Sequence, residues 1–190
     1  MRVLGIDPGT VTTGWGVVEE RGTRVIRVAS GVVRVRGALP ARLAAIVARL
    51  EEVLAHYSPT ALSLEKSFVA ANVQSAFRLG EARGAVLVAA AREGLTIAEY
   101  SPAEIKLAVV GTGRATKEQV QLMMRRLLAI EGDVVTDEAD ALAAAVCHIH
   151  ARRMAARIGH GNLVELVRAR RRRSGGRWMS LAGVKPGAKR

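Results

Sequence analysis

The sequence predicts one α/β domain on a mixed β-sheet, followed by a basic tail. Three observations predict it. Residues 2–35 hold three strand-like runs rich in β-formers, joined by connections too short for a helix. After residue 40, strand-like runs alternate with segments of helical period, the pattern of parallel strands joined by crossovers. The charge is also unevenly divided. The 190 residues carry 29 Lys+Arg and 17 Asp+Glu, a net charge of +12. Residues 151–190 hold 12 of those basic residues and a single acid, Glu165, so the first 150 residues are close to neutral. The expected division is a domain over 1–155 and a flexible tail over 156–190.

Residues 2–7 (RVLGID) read as a buried strand that ends in a carboxylate, followed by a Pro-Gly-Thr turn signal. Residues 12–20 (TTGWGVVEE) and 24–35 (RVIRVASGVVRV) complete an antiparallel meander. Leu43, Ile46, Val47, Leu50, Val53 and Leu54 have helical spacing over 41–57, and Pro40 suits the first turn of that helix. Residues 60–65 (TALSLE) form a strand, again ending in an acid. An Ala-rich helix over 73–92 has Asn72 as its N-cap and places Phe77 in the core. Residues 95–100 (LTIAEY) make the fifth strand. Ser101-Pro102-Ala103-Glu104 is a capping box that opens a short helix, broken by Gly111 and Gly113. Thr116 to Gln119 is a second capping box, opening a helix to about Ile130. Thr136 can cap a last helix over 137–155. Residues 162–173 can form one more short helix, and 174–190 read as flexible.

Composition narrows the function classes. The lone cysteine, Cys147, allows neither an internal disulfide nor a zinc cluster, and reads as a small buried residue. No uncharged apolar stretch approaches the roughly 18 residues of a membrane span. The MRVLGID start lacks the basic flank and apolar run of a signal peptide, so a cytoplasmic location is expected. A pI near 11 points to a polyanionic partner. His148 and His150, two apart on a helix, point in different directions and are poor joint ligands.

Four acids stand out. Asp7 and Glu65 each end a predicted strand, where sites form in open α/β sheets. Asp137 and Asp140, three apart at a helix start, share one face. A helix packed beside the first and fourth strands would bring all four together. Carboxylates at that density repel, and a divalent cation is the natural counter-charge; oxygen-only ligands favour Mg²⁺ or Mn²⁺. Singly, each acid has a plainer explanation. Asp137 and Glu138 also suit the helix dipole, and Asp7 before Pro-Gly-Thr also suits a turn.

GIDPGTVTTGWGVV at 5–18, LEKSFVAANVQSAFRLGEARGA at 64–85, VVGTGRATKEQV at 109–120 and DEADALAAAVCHIH at 137–150 together resemble the RuvC Holliday junction resolvases. The likeness is collinear over residues 1–152. It implies a ribonuclease-H-like fold, a five-stranded mixed sheet flanked by helices with the first three strands antiparallel. It implies a homodimeric endonuclease that nicks two opposed strands of a four-way DNA junction in recombination and repair. By resemblance, Asp7, Glu65, Asp137 and Asp140 are the metal-binding catalytic acids, holding two Mg²⁺ or Mn²⁺ ions. Some members carry His where Asp137 stands. Lys106 and Lys117 match two functionally important lysines, and Phe68 an aromatic that stacks on a base near the crossover. Arg114 is a further candidate DNA contact. Docking on a branch-migration complex of the RuvA and RuvB type is likewise implied.

Two other functions compete. GIDPGTVTTG also resembles the phosphate loop of actin-like ATPases, but those need two such domains around the nucleotide and this chain has room for one. A non-catalytic junction binder would draw its affinity from the Arg168–Arg173 run by counterion release, yet the complete acid set speaks against it. No apolar interface patch is readable.

Overall fold

The computed structural model describes residues 1–66 and 73–158. Asn72, Phe68, the basic run at 168–173 and the segments 162–173 and 174–190 lie outside the described residues. Five strands, β1 (Arg2–Asp7), β2 (Thr12–Arg21), β3 (Arg24–Arg34), β4 (Ala61–Glu65) and β5 (Thr96–Tyr100), form one sheet in the order β3-β2-β1-β4-β5. β1, β2 and β3 are antiparallel, whereas β4 runs parallel to β1 and β5 parallel to β4. The helices are α1 (Leu39–Tyr57), α2 (Val73–Arg92), α3 (Pro102–Val110), α4 (Lys117–Leu127) and α5 (Thr136–Ile158). Residues Met1–His150 form one compact unit, and Ala151–Arg190 a second whose described part is the end of α5. Among the described residues, no helix is long and apolar enough to cross a membrane.

The elements follow the sequence with small shifts at their ends. Pro40 lies in the first turn of α1, which starts at Leu39, two residues before the apolar period. The capping boxes at Ser101/Glu104 and Thr116/Gln119 both form. α4 stops at Leu127 rather than near Ile130, because Ala129 takes a left-handed conformation at φ 48° that a helix cannot continue through.

Period-two alternation divides the central strands between two faces. Leu4, Ile6, Trp15, Val17, Leu62 and Leu64 pack with Ile46, Leu50 and Val53 of α1 and Val86, Ala89 and Ala90 of α2. Gly5, Asp7, Gly14, Ser63 and Glu65 alternate with them and face α5. The Ser63 hydroxyl donates to the Ala144 carbonyl of α5 at 2.7 Å. Two glycines let that helix lie directly on the strands. A Cβ on Gly5 would stand 1.9 Å from the Ala141 carbonyl oxygen, and one on Gly14 equally close to the Asp137 carbonyl oxygen. Both contacts are to backbone, so no side-chain rotation relieves them.

Phe77 corrects the expectation of a core residue: it is 70% exposed. The inward face of α2 is occupied by Ala82, Val86, Ala89 and Ala90, and Phe77 lies on the opposite side of the helix.

Candidate active site

The end of β1 delivers Asp7 and the end of β4 delivers Glu65. The two strands are hydrogen-bonded neighbours with Ile6 opposite Leu64, so the acids emerge side by side on the α5 face. α5 supplies Asp140 one turn after Asp137. α3 supplies Lys106, and Lys117 is the first residue of α4. Asp7, Glu65, Asp140, Lys106 and Lys117 line one cavity of about 260 Å³, walled on its apolar side by Pro102, Ile105 and Val120. Both lysines therefore share the cavity with the acids, Lys106 half-buried and Lys117 exposed at its mouth.

Asp137 is placed differently. It is outside the lining of the cavity, yet near enough for its charge to raise Asp7 and Asp140. Its carbonyl lies against Gly14, which fixes the start of α5 on β2. The neighbouring Glu138 secures the same end from the other side: it accepts a hydrogen bond from Ser30 and pairs with Arg27 at 3.3 Å, both on β3. The first turn of α5 is thus seated by sheet contacts, a stronger constraint than the dipole preference alone. Arg114 is exposed in the α3–α4 turn, outside the cavity lining.

The electrostatics are those of a site short of positive charge. Burial pushes the Asp7 carboxyl up from 3.8 to about 7, reinforced by Asp140, Glu65 and Asp137, with only Lys117 opposing. Burial also raises Glu65 and Asp140, and Lys117 and Lys106 pull both back. The turn after Asp7 is closed by Thr13, whose hydroxyl donates to the Gly9 carbonyl at 2.7 Å. Asp7 is therefore both the residue before a turn and an acid held among acids.

Behind the cavity, α5 grips α3 on both sides of Lys106. The Cys147 thiol donates to the Glu104 carbonyl at 3.8 Å, and His150 Nδ1 donates to the Ala108 carbonyl at 2.9 Å. Burial pushes the Cys147 thiol up to about 12, which makes it unreactive. His148 is buried and hydrogen-bonded to the Tyr100 hydroxyl at 2.8 Å. The two histidines serve packing in different directions, as their spacing predicts.

The oxygen-only donor set of Asp7, Glu65 and Asp140, repelling one another in a common cavity, fits a hard divalent cation. Among the described residues no tight three-ligand cage is formed; the acids share an open pocket instead.

Comparison with known proteins points the same way. The family model described as "Crossover junction endodeoxyribonuclease RuvC" matches residues 3–148. The protein of that description from Pelobacter propionicus is 48% identical over 156 residues, 81% of this chain and 89% of the relative. The one from Pseudomonas aeruginosa strain LESB58 is 48% identical over 176 residues, 92% and 97% of the two chains. Among solved structures, Thermus thermophilus RuvC in complex with Holliday junction substrate superposes with a TM-score of 0.77 at 37% identity, covering 81% of this chain and 96% of that one.

Proposed function

The chain belongs to the RuvC family of crossover junction endodeoxyribonucleases, and from that membership we infer that it resolves four-way DNA junctions in recombination and repair by hydrolysing phosphodiesters. The observation that carries the reading is the meeting of Asp7, Glu65 and Asp140 with Lys106 and Lys117 in one cavity at the strand ends. A four-way junction should be cut while a linear duplex of the same arm sequence stays intact; equal cutting of both would overturn selectivity for the junction.

The family depends on a divalent metal. For this chain we read the metal as Mg²⁺ or Mn²⁺, two ions held by Asp7, Glu65, Asp137 and Asp140. When bound, such ions activate water and neutralise charge on the leaving oxygen. Lys106 and Lys117 stand across the cavity from the acids and offset charge on the scissile phosphate. Lys117, at a helix start, adds the favourable dipole end for an anion. Pro102, Ile105 and Val120 form the apolar side of the cavity.

A homodimer suits a junction, since two equivalent strands call for two equivalent sites. The outward face of α2 supports it. Val73 and Phe77 are 72% and 70% exposed, Val88 is 61% exposed, and Gly80 and Gly84 between them open onto free space. At 73, 77, 80, 84 and 88 these residues form one stripe opposite the core face, so α2 is apolar on two sides. A second copy of the chain is the occupant we assign to it. Phe77→Glu should convert a dimer into a monomer by light scattering and remove paired nicking. A monomeric unsubstituted protein, or a dimeric variant, would contradict this.

Phe68 stacking on a base, Arg114 contacting DNA, and coupling to a RuvA/RuvB-type complex rest on the family resemblance. The tail is assigned sequence-independent phosphate contact. Deleting 157–190 should weaken DNA binding and flatten its salt dependence without changing which junction positions are cut. An unchanged salt slope would show the tail to be idle.

A further inference from the structure

Glu65 sits at a weakly framed point of the sheet. The pairing of β1 with β4 ends at Ile6 and Leu64, one residue before it. Beyond Leu64 the ladder continues on the β5 side, with Glu65 opposite Tyr100 and the Lys66 N–H donating to the Tyr100 carbonyl at 2.7 Å. A carboxylate that must meet a cation together with Asp7 and Asp140 therefore stands on the last residue of its strand, where pairing with β1 has ended.

Arg83 of α2 adds a hold at this point. Its Nη1 donates to the Glu65 carbonyl oxygen at 3.0 Å, and its Nη2 pairs with Glu99 of β5. Glu99 alternates with Tyr100 and so lies on the α2 face, while the Glu65 carboxylate lies on the α5 face. The guanidinium thus grips the strand from behind and leaves both carboxylate oxygens free. A planar fork that bonds two acceptors at once is a geometry lysine lacks. The charge pair is only partly open to water, and the bond to the backbone of Glu65 is the contact that reaches the metal-facing strand.

We propose that Arg83 is a positioning residue for Glu65, holding the end of β4 so that the carboxylate shares a divalent cation with Asp7 and Asp140. This rests on the reading of those acids as metal ligands. Removing partners that orient ligands costs about 10–100-fold in metal affinity or activity.

The test is Mn²⁺ binding by calorimetry on the full chain without DNA. Arg83→Met should weaken Mn²⁺ binding about tenfold or more. Arg83→Lys keeps a cation beside Glu99 without the fork, and should fold and bind Mn²⁺ several-fold more weakly; it decides the matter where Arg83→Met does not fold. A merely structural arginine would lower the melting temperature of the metal-free protein and leave Mn²⁺ affinity within twofold of the unsubstituted protein. That result would overturn the proposal. Failure of the underlying reading looks different: the unsubstituted protein would then neither bind Mn²⁺ nor cleave a junction.

Discussion

Asp7→Asn should abolish junction cleavage, by about a thousandfold or more, while leaving junction binding in place and making the metal-free protein more stable. The two effects have one cause. Burial among Asp140, Glu65 and Asp137 raises Asp7 to about 7 from 3.8. Between those values the folded protein holds a proton that the unfolded chain has released. Stability of the metal-free form therefore falls as pH climbs from about 4 to 7, and the full penalty applies above 7. It is on the order of 2–4 kcal/mol. Asparagine has no charge to confine, so the variant should melt several degrees higher at pH 7.5 and lose most of that advantage at pH 4. Mn²⁺ should raise the melting temperature of the unsubstituted protein and not that of the variant. Cleavage near the unsubstituted level would mean that Asp7 is not a ligand, and an unchanged melting temperature at pH 7.5 that it is not under strain from its neighbours.

Gly14→Ala should reduce cleavage about a hundredfold with DNA binding retained. The added methyl would lie 1.9 Å from the Asp137 carbonyl oxygen, so the start of α5 must rise off β2. Asp137 and Asp140 rise with it, and displacement of a catalytic group by about 1 Å can cost two orders of magnitude. Overpacking should also cost about 1–3 kcal/mol of stability. Gly5→Ala should act the same way one turn further along, against Ala141. Nicking rates and thermal melts on both variants check this. Full activity in either would show that α5 can move without disturbing the acids.

The sequence exposed the acids better than the surfaces that seat them. Asp7 and Glu65 each end an apolar strand, so their position follows from a run of residues and its last member. Lys117 was placed by the capping box beside it. Lys106 was legible only through the family likeness, because its position in the cavity depends on how α3 docks against α5 through Cys147 and His150. Asp137 shares its spacing with Asp140 in sequence; it lies outside the cavity lining but close enough to raise Asp7 and Asp140. The glycine seam had a local signal, Gly14 and Gly16 alternating with Trp15 and Val17, but the helix that needs the gap comes 120 residues later in the chain. Phe77 was misread for a physical reason. A helix with apolar residues on both sides gives no clue to which side meets the sheet until the smaller alanines are seen to fill the core. Arg83 carries no local signal, since one acceptor is a backbone carbonyl and the other, Glu99, is 16 residues away on a different strand.

The most direct test of the central claim, that carboxylates gathered at the ends of β1, β4 and α5 hold divalent metal to cut DNA junctions, is a cleavage assay on a synthetic four-way junction across a metal series. Nicks would be mapped to the nucleotide. The account predicts paired nicks at symmetry-related positions on two opposed strands with Mg²⁺ or Mn²⁺, and none in excess chelator. Undiminished nicking in chelator would contradict it.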